Sequence, residues 1–478
     1  MPMKLTQLLS IYPEFYLGTQ STQEVGQINC DSRQVQAGDV YVAIRGHEQD
    51  GHDYLEQVVK KRPAALIVED RSKVPSSFQG AIVKVPNTRR ALDQLARHFY
   101  GYPAKELFCV GVTGTNGKTS VAYMVENVLR AFGWPTGVMG TIDHHLEGQT
   151  WPTQLTSPDP LLLYRRLREF RALKAQAAVF EVSSHALSQH RMDHVPFDVA
   201  VFTNLSRDHL DYHKSMDNYF RAKQRLFQEV IGKKKKKTKF TVINADDRCA
   251  SEINPDERCQ NIFFGRSHGD YIYEITEQSL SGTRFVLRSM KGSDEGFLPV
   301  LGEHNVANAV AAVIVGGCAG MSQSQALQSL ADFPGVPGRL ERVAPQSGLH
   351  VFIDYAHTPA ALEAVLQSLQ KLMQSEVNPR RLLTVFGCGG DRDLGKRAEV
   401  GQVAYQSSDA VFVTSDNPRS EDPDKIISEV VSQLPERERG TRYFCEADRR
   451  RAIEAALQFA SEGDVILVAG KGHEDYQM

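Results

Sequence analysis

A glycine-rich segment, Gly114-Thr115-Asn116-Gly117-Lys118-Thr119, lies between an apolar run and a helical pattern. Glycines let the backbone curl so that its N–H groups face phosphate oxygens, and a helix N-terminus adds a favourable dipole. In such a loop Lys118 would reach the β- and γ-phosphates, and the Thr119 hydroxyl would bind Mg²⁺. The segment therefore predicts an ATP site. Its spacing is shorter than the Walker pattern, because Val112 stands where that pattern has glycine.

Titratable side chains follow two other apolar runs. Glu181 ends the first run, and Mg²⁺ prefers carboxylate oxygens of this kind. The second run is followed by Asn204–His213, which is rich in aspartate and histidine. Each acid alone is as typical of a helix cap or an ion pair, but phosphoryl transfer needs metal ions beside the triphosphate. We therefore expect both segments to lie beside the phosphate loop, whereas nothing local distinguishes Lys223 from a solvated helix lysine.

The elements that must position these groups alternate between strands and helices. The pattern predicts strands at 107–112, 177–182, 198–203 and 240–245 and helices at 119–132, 218–231 and 306–319. Such alternation is typical of a mostly parallel sheet covered on both faces. Residues 271–300 alternate between polar and apolar types, which predicts an antiparallel side sheet.

The chain has 478 residues, which is more than one hydrophobic core of about 250–300 residues can serve. Short apolar runs in residues 1–105 predict a small N-terminal α/β domain. Proline and glycine are dense at 333–338, which indicates a linker, and the βα rhythm then returns. We therefore predict an α/β protein of three domains, at 1–105, 106–337 and 338–478, the last a doubly wound, Rossmann-like domain.

Composition narrows the possible partners. The net charge of −3 gives no general reason to bind nucleic acid, and no apolar run reaches the length of a membrane span. The seven cysteines include no Cys-x-x-Cys pair, which is typical of a reduced protein. We expect a cytoplasmic monomer that binds small molecules, and interpret Lys233–Lys237 as a solvated loop.

The motifs together resemble those of the Mur ligases, cytosolic enzymes that build the peptidoglycan stem peptide. The similarity extends over essentially the whole chain and rests on Gly114–Thr119, Glu181–His185, Asn204–His213 and Tyr219–Lys223. In that family the lysine at the position of Lys223 is carbamylated, and a carbamate formed from CO₂ offers oxygen ligands where an ammonium could not.

The resemblance implies specific roles for residues of this chain. It implies one Mg²⁺ ion held by carbamylated Lys223 and His209 and another held by Glu181 and Thr119. The implied catalytic residues are Lys118, Lys223, His209, Glu181 and His357. The implied ATP contacts are Gly114, Thr115, Asn116, Gly117, Lys118, Thr119, His304, Asn305, Arg339 and Asp354.

The first domain is similar to the pocket for a uridine nucleotide in the family member that adds the third residue. The resemblance implies that UDP-N-acetylmuramoyl-L-alanyl-D-glutamate contacts Ser32, Arg33, His47, Thr156, Ser157, Ser183, Gln189 and Arg191. The family often has Asn-Thr-Thr where this chain has Leu155-Thr156-Ser157, so the asparagine has no counterpart here.

The third domain contains the residues that the resemblance implies for binding the incoming amino acid. Asp416-Asn417-Pro418-Arg419 matches the form found where meso-diaminopimelate, rather than L-lysine, is added. A chemical reason is that the distal end of diaminopimelate has a carboxylate, which an arginine can bind through two hydrogen bonds. The implied contacts are Arg392, Asp416, Asn417, Arg419, Gly470 and Glu474.

The expected reaction forms an acyl phosphate on the D-glutamyl carboxylate, which the amine of diaminopimelate then attacks. The general base stays unassigned, with His357 as a candidate. The alternatives are an L-lysine-adding enzyme, a folylpolyglutamate synthetase-like ligase, a P-loop hydrolase and a module that binds through Lys233–Lys237. Asp31-Ser32-Arg33 counts against the second, and Glu181 in place of a Walker-type aspartate counts against the third.

Overall fold

The computed structural model describes residues 3–12, 23–46, 49–231, 238–343, 348–374, 380–391, 395–474 and 476–477. Three sequence predictions, on His47, Arg392 and Lys233–Lys237, lie outside these ranges. The chain forms two compact units, the first of Met1–Lys118 and Leu129–Phe263 and the second of Thr119–Val128 and Phe264–Met478. No helix in the described ranges is long and apolar enough to cross a bilayer.

The N-terminal part of the first unit is the predicted small α/β fold. Its elements are β1 (Met3–Lys4), α1 (Leu5–Leu9), β2 (Glu24–Val25), β3 (Ile28–Asn29), β4 (Val40–Val42), α2 (Leu55–Lys60), β5 (Ala65–Val68), β6 (Ala81–Lys84) and α3 (Thr88–Phe99). Strands β3 to β6 form a parallel sheet in sequence order, and β1 pairs antiparallel with β2. Every residue of β5 is buried, as expected for a strand covered on both faces.

A larger sheet follows along the chain. Its strands and helices are β7 (Phe108–Thr113), α4 (Lys118–Ala131), β8 (Thr136–Met139), β9 (Asp143–Leu146), β10 (Gln149–Pro152), α5 (Pro160–Ala172), β11 (Ala177–Glu181), α6 (Ser184–Ser188), β12 (Val199–Phe202), α7 (Leu210–His213), α8 (Met216–Arg225), β13 (Lys239–Asn244) and β14 (Cys259–Gly265). The strand order is β10-β9-β8-β11-β7-β12-β13-β14, and β8, β11, β7, β12 and β13 are parallel. The parallel sheet predicted from the apolar runs is confirmed, whereas β8 to β10 were not predicted.

The second unit contains the antiparallel strands predicted within 271–300. They are β15 (Tyr271–Ser279), β16 (Gly282–Ser289) and β17 (Gly292–Leu298), followed by α9 (Glu303–Ala319) and α10 (Gln323–Leu330). Helix α9 starts three residues earlier than predicted. It follows Gly302, whose φ of 96° is in the left-handed region that glycine adopts without strain.

The rest of the second unit is the predicted Rossmann-like fold. Its elements are β18 (Glu341–Val343), β19 (His350–Asp354), α11 (Pro359–Gln374), β20 (Leu382–Cys388), α12 (Gly395–Ser407), β21 (Ala410–Ser415), α13 (Pro423–Val431), β22 (Tyr443–Cys445), α14 (Arg449–Phe459) and β23 (Val465–Ala469). The order is β18-β19-β23-β20-β21-β22, parallel except for β18. Successive residues of β23 alternate between two apolar clusters, one shared with α11 to α13 and one with α14, so helices cover both faces.

Candidate active site

Strand order brings the predicted groups of the first unit together. Strand β7 lies between β11 and β12, and all three run parallel. Parallel strands end at the same edge of a sheet, where open α/β folds bind ligands. The phosphate loop follows β7, Glu181 ends β11, and Thr203–Ser206 follows β12. The proximity expected from sequence is therefore present in the fold.

The phosphate loop is held by backbone geometry. Gly114 has a φ of 150°, and a Cβ atom there would lie 1.9 Å from the Thr203 hydroxyl oxygen, so glycine is required. The amide of Thr115 donates to the carbonyl of Asn204 at 2.8 Å, and the amide of Asn116 donates to the Asn204 side-chain oxygen at 2.9 Å. The segment after β12 thus fixes the loop before its helix begins.

Two lysines reach the carbonyls of this loop. The ammonium of Lys118 donates to Gly114 at 3.1 Å and to Thr115 at 2.8 Å. The Nζ of Lys223 donates to the Gly114 carbonyl at 2.7 Å, and Lys223 is only 2% exposed. Burial, and then the charge of Lys118, lowers the pKa of Lys223 well below its usual value. Lys223 is therefore not the solvated helix lysine that its surroundings in sequence suggest.

Helix α8 determines where Lys223 lies. The helix starts at Met216, where the Ser215 side chain caps it by accepting from the amide of Asn218. Its buried face includes Tyr219, whose ring centroid lies 4.4 Å from the Lys223 Nζ. A single π-helical turn, Leu226–Val230, follows α8, so the α-helix ends six residues before the predicted end at 231.

Glu181 is buried at the end of β11, with 1% of its surface exposed. Its Oε1 accepts from the amide of Thr141 at 2.8 Å, and its Oε2 accepts from the Thr141 hydroxyl at 3.0 Å. The Thr156 hydroxyl lies 3.1 Å from the same Thr141 oxygen, which can accept from it. A Cβ atom at Gly140 would lie 2.2 Å from Oε1, so the chain after β8 also fits closely around this carboxylate.

Three histidine rings, those of His185, His209 and His213, lie against one another in the first unit. The His185 ring centroid is 4.8 Å from that of His209 and 5.4 Å from that of His213. Burial, followed by the neighbouring histidines, lowers the pKa of His213 to about 4, and burial also lowers that of His185. Burial thus favours the uncharged form of both rings, whereas His209, at a φ of 52°, has a side chain that is 46% exposed.

Mg²⁺ requires several hard oxygen ligands around one point. The described residues contain no group of three or more His, Cys, Asp or Glu placed to hold a metal. Glu181 and Thr119 nevertheless offer hard oxygen atoms, and a carbamate on Lys223 would add two more. A carbamate forms on an uncharged amine, which is the state that the lowered pKa of Lys223 favours. Glu181 and, once carbamylated, Lys223 would thus supply oxygen ligands of the type that Mg²⁺ prefers.

The residues predicted to bind the nucleotide-sugar dipeptide form a connected network in the first unit. Arg191 donates to the Ser157 carbonyl at 2.9 Å and to the Gln189 side-chain oxygen at 3.0 Å. The Ser157 hydroxyl lies 3.1 Å from that of Ser183 and donates to the Glu181 carbonyl at 2.7 Å. Burial lowers the pKa of Arg191. The network thus joins the predicted substrate residues to the strand that carries the buried carboxylate.

Ser32 and Arg33 lie in a surface turn. The Arg33 side chain pairs with Asp31 at 2.8 Å and is 87% exposed. Lys61 donates to the carbonyls of both Ser32 and Arg33, at 2.9 and 2.8 Å. The Arg33 side chain is thus open to solvent while the backbone of the turn is anchored.

The second unit contains the residues predicted for the adenosine part of ATP. Asp354 ends β19 and accepts from the amides of Leu340 and Ala356, both at 2.8 Å. Burial raises the pKa of Asp354, although these amides oppose the shift. Burial lowers the pKa of His304, against the attraction of Asp354. Asn305 donates to the Leu301 carbonyl at 2.7 Å and so fixes the start of α9.

A cleft of about 410 Å³ opens beside the start of α9. It is lined by Gly302, Glu303, His304, Leu340 and one face of α11. A volume of this size suits a small heterocycle. Lys371 on α11 pairs with Glu303 at 2.9 Å, at an exposed position where such a pair contributes little.

The residues predicted for diaminopimelate gather at the ends of β21 and β23. Asn417 donates to Glu474 at 3.3 Å, and Lys471 lies 3.2 Å from the Asn417 side-chain oxygen and 3.3 Å from Glu474. Lys471 is also 3.9 Å from Asp416. Arg419 donates to the Gly390 carbonyl at 2.6 Å. The structure thus brings three of the predicted residues, Asp416, Asn417 and Glu474, into one polar cluster around Lys471.

Glycines allow this cluster to form. A Cβ atom at Gly470 would lie 2.8 Å from an Asp416 oxygen, and one at Gly390 would lie 1.9 Å from the Pro418 carbonyl. Arg419 itself has a φ of 52°, in the left-handed region that a non-glycine residue rarely adopts.

Models of three domain families match the chain. The matches are the Mur ligase middle domain at 112–316, the Mur ligase glutamate ligase domain at 338–472 and the Mur ligase family catalytic domain at 24–100. A relative from Geobacter metallireducens, named UDP-N-acetylmuramoyl-L-alanyl-D-glutamate--2,6-diaminopimelate ligase, is 40% identical, with 100% of this chain and 95% of the relative aligned. The chain belongs to the Mur ligase family. A relative of the same name from Bacillus velezensis is 37% identical over 99% of this Mur ligase and 95% of its own length.

Solved structures agree with this assignment. A structure titled UDP-N-acetylmuramoyl-L-alanyl-D-glutamate--2,6-diaminopimelate ligase superposes with a TM-score of 0.75 at 31% identity, covering 100% of this Mur ligase and 95% of the other chain. A folylpolyglutamate synthase from Mycobacterium tuberculosis superposes with a TM-score of 0.59 at 20% identity and covers 80% of this chain and 92% of its own. The second likeness shows a shared fold only.

Some residues of the candidate sites in this Mur ligase were not found by sequence reasoning. Lys471 lies in a Gly-Lys-Gly segment that is typical of an exposed turn. Tyr355 donates to Glu474 at 3.3 Å, while the Arg339 guanidinium lies 5.2 Å from its ring centroid. His357, the candidate base, is exposed and pairs through Nδ1 with the Tyr355 carbonyl at 2.9 Å. The position of Tyr355 directly after Asp354 was the signal available in the sequence.

Proposed function

We propose that this Mur ligase uses ATP to join meso-2,6-diaminopimelate to the D-glutamyl carboxylate of UDP-N-acetylmuramoyl-L-alanyl-D-glutamate. The observation that carries the proposal is the charged cluster of Asp416, Lys471 and Glu474, in a chain whose full-length relatives are named for this reaction. Carboxylates can bind the distal ammonium of diaminopimelate, and basic side chains can bind its distal carboxylate.

The chemistry follows from the poor leaving group of a free carboxylate. The D-glutamyl carboxylate attacks the γ-phosphorus of ATP, so that an acyl phosphate forms and ADP leaves. The amine of diaminopimelate then attacks the acyl carbon, phosphate leaves with the C–O electron pair, and the amine loses a proton as the amide forms. The ammonium of Lys118 would stabilise negative charge on the transferred phosphoryl group. The base that accepts the amine proton stays unassigned.

Two Mg²⁺ ions would neutralise charge on the triphosphate and bring the carboxylate closer to it. We propose Glu181 and Thr119 as ligands of one ion and His209 with carbamylated Lys223 as ligands of the other. The lowered pKa of Lys223 supports its reaction with CO₂, and its bond to Gly114 at 2.7 Å supports its place at the loop.

We also propose the predicted contacts with the dipeptide, the nucleotide-sugar and adenine. The hydrogen-bond network around Arg191 supports binding of the dipeptide there. The anchored turn at Ser32 and Arg33 supports binding of the nucleotide-sugar. The cleft lined by His304 supports a place for adenine. All of these partners are small molecules, and we infer that the enzyme acts on them as a monomer in the cytoplasm.

Release of phosphate tests the proposal. The assay contains ATP, Mg²⁺ and the UDP-muramoyl dipeptide, and compares meso-diaminopimelate with L-lysine and with no amino acid. We expect phosphate release that depends on the dipeptide and on meso-diaminopimelate, together with the tripeptide product by mass spectrometry. Equal rates with L-lysine would refute the assigned amino acid, and release without any amino acid would favour a hydrolase.

A further inference from the structure

Lys471 is a buried cation at the proposed amino-acid site. It follows Gly470 after β23 and is 8% exposed. Its ammonium lies 3.2 Å from the Asn417 side-chain oxygen and 3.3 Å from a Glu474 oxygen, with an Asp416 oxygen at 3.9 Å. A buried ammonium is costly unless it is paired, so these partners fix its position.

The partners of Lys471 are the groups proposed to contact diaminopimelate. Asn417 also donates to Glu474, to the same carboxylate oxygen that faces Lys471. Asp416 and Glu474 are like charges that repel each other at close range. Lys471 lies within ion-pair distance of both, so its charge reduces this repulsion and its hydrogen bonds set the orientation of the Asn417 and Glu474 side chains.

The charge of Lys471 acts differently on the two candidate amino acids. The distal end of meso-diaminopimelate has an ammonium and a carboxylate, whereas the distal end of L-lysine has an ammonium alone. Two carboxylates without a nearby cation would attract the ammonium of either amino acid and would repel the additional carboxylate of diaminopimelate. With Lys471 in place, the repulsion of that carboxylate is offset.

We propose that Lys471 is a specificity-determining positioning residue: by pairing with Asp416 and Glu474, it sets the charge balance that favours the zwitterionic end of diaminopimelate over the lone ammonium of L-lysine. This inference rests on the proposed function, because it concerns the same amino-acid site. It assigns the discrimination to Lys471 acting through its two acidic neighbours, in addition to Arg419.

The test compares wild type with Lys471→Met, which keeps most of the side-chain volume and removes the charge. The measured quantity is the ratio of kcat/KM for meso-diaminopimelate to kcat/KM for L-lysine. Where turnover of L-lysine is too slow to measure, inhibition by L-lysine replaces its kcat/KM. We expect the ratio to fall about tenfold or more while the KM for ATP stays within about twofold. Lys425→Met, at an exposed lysine on α13, is the matched control and should leave the ratio unchanged.

Equal losses with both amino acids would overturn the inference, because a merely structural defect lowers both in proportion. If Lys471→Met lowers the melting temperature, a second variant tests the inference. In Lys471→Met/Glu474→Gln one carboxylate is removed together with the ammonium, so we expect the ratio to recover partly from its value in the single variant. A ratio that stays at the value of the single variant would also overturn it. Wild type that is inactive with both amino acids would refute the proposed function instead.

Discussion

The phosphate loop and the proposed amino-acid site differ in the interactions that fix their geometry. The loop is fixed by backbone geometry, with Gly114 against Thr203 and two amides bonded to Asn204. The amino-acid site is a cluster of side-chain charges around Lys471. Backbone geometry allows few alternatives, whereas a charge balance can be adjusted by one substitution. The first arrangement suits a reactant common to many ligases, and the second suits a choice between similar amino acids.

The largest expected effect is the loss of Lys118. Lys118→Ala removes the cation proposed to stabilise the transferred phosphoryl group, so kcat/KM for ATP should fall about a thousandfold. Phosphate release measures this, and Lys105→Ala, at an exposed lysine of the same unit, is the control. Near wild-type release by Lys118→Ala would mean that the triphosphate binds elsewhere.

A substitution of Gly114 tests whether the backbone fixes the loop. In Gly114→Ala the new Cβ atom would lie 1.9 Å from the Thr203 hydroxyl oxygen, at a φ of 150°. The free energy of unfolding should fall by about 3 kcal/mol, and ATP binding should be lost. Gly148→Ala is a matched control, since Gly148 also has a positive φ but no atom within 4 Å of the added Cβ, and it should cost about 1 kcal/mol. Urea titration of both variants gives the comparison, and equal losses would contradict it.

A substitution in the proposed amino-acid site should weaken binding of meso-diaminopimelate without changing binding of ATP. In Arg419→Ala the proposed partner of the distal carboxylate is absent, so the KM for meso-diaminopimelate should rise about 30-fold or more. The KM for ATP should stay within about twofold of wild type. Steady-state kinetics with each substrate varied in turn measures both, and a collapse of ATP affinity would place Arg419 in the nucleotide site instead.

A smaller effect, on the free energy of unfolding, is expected when Lys223 is replaced. Its pKa is lowered in the folded protein, so at a pH below the usual lysine value the unfolded chain binds more protons and the folded state is penalised. The penalty vanishes above that usual value and grows as pH falls towards the lowered pKa. In CO₂-free buffer Lys223→Met should therefore raise the unfolding free energy at neutral pH by about 1 kcal/mol, although it should abolish ligase activity.

The pH dependence checks the cause of this effect. The stability difference between Lys223→Met and wild type should shrink as the buffer is moved from pH 7 to pH 10. Melting curves at several pH values measure it, and a difference that stays constant with pH would show that packing, not the lysine charge, is responsible.

Much of the fold could be predicted from the sequence, because the strands of the parallel sheet are continuous apolar runs. The run at 107–112 is β7, shifted by one residue, and the run at 198–203 contains β12. Strands β9 and β10 were missed because each is only four residues long and β9 contains His144 and His145 in place of apolar residues. A buried histidine in a short strand does not produce the alternation that identifies strands.

The candidate sites were predictable where function depends on local sequence. Glycine, lysine and threonine in the phosphate loop are adjacent, so their role follows from their order. The burial of Lys223 depends on the distant carbonyl of Gly114, and that of Lys471 on residues more than fifty positions earlier, Asp416 and Asn417. Such contacts leave no local pattern in the sequence, so sequence alone did not distinguish Lys223 from a solvated helix lysine and gave Lys471 no role.

The left-handed backbone at Arg419 constrains how this enzyme could be re-engineered. Asparagine, aspartate and glycine tolerate a φ of 52° better than arginine does, so exchanges to them would gain backbone stability while they lose the guanidinium. A library selected for thermal tolerance would therefore lose the guanidinium that we propose to bind diaminopimelate. Directed evolution of the amino-acid preference needs a screen for catalysis at every round, since selection for stability and selection for specificity would favour different residues here.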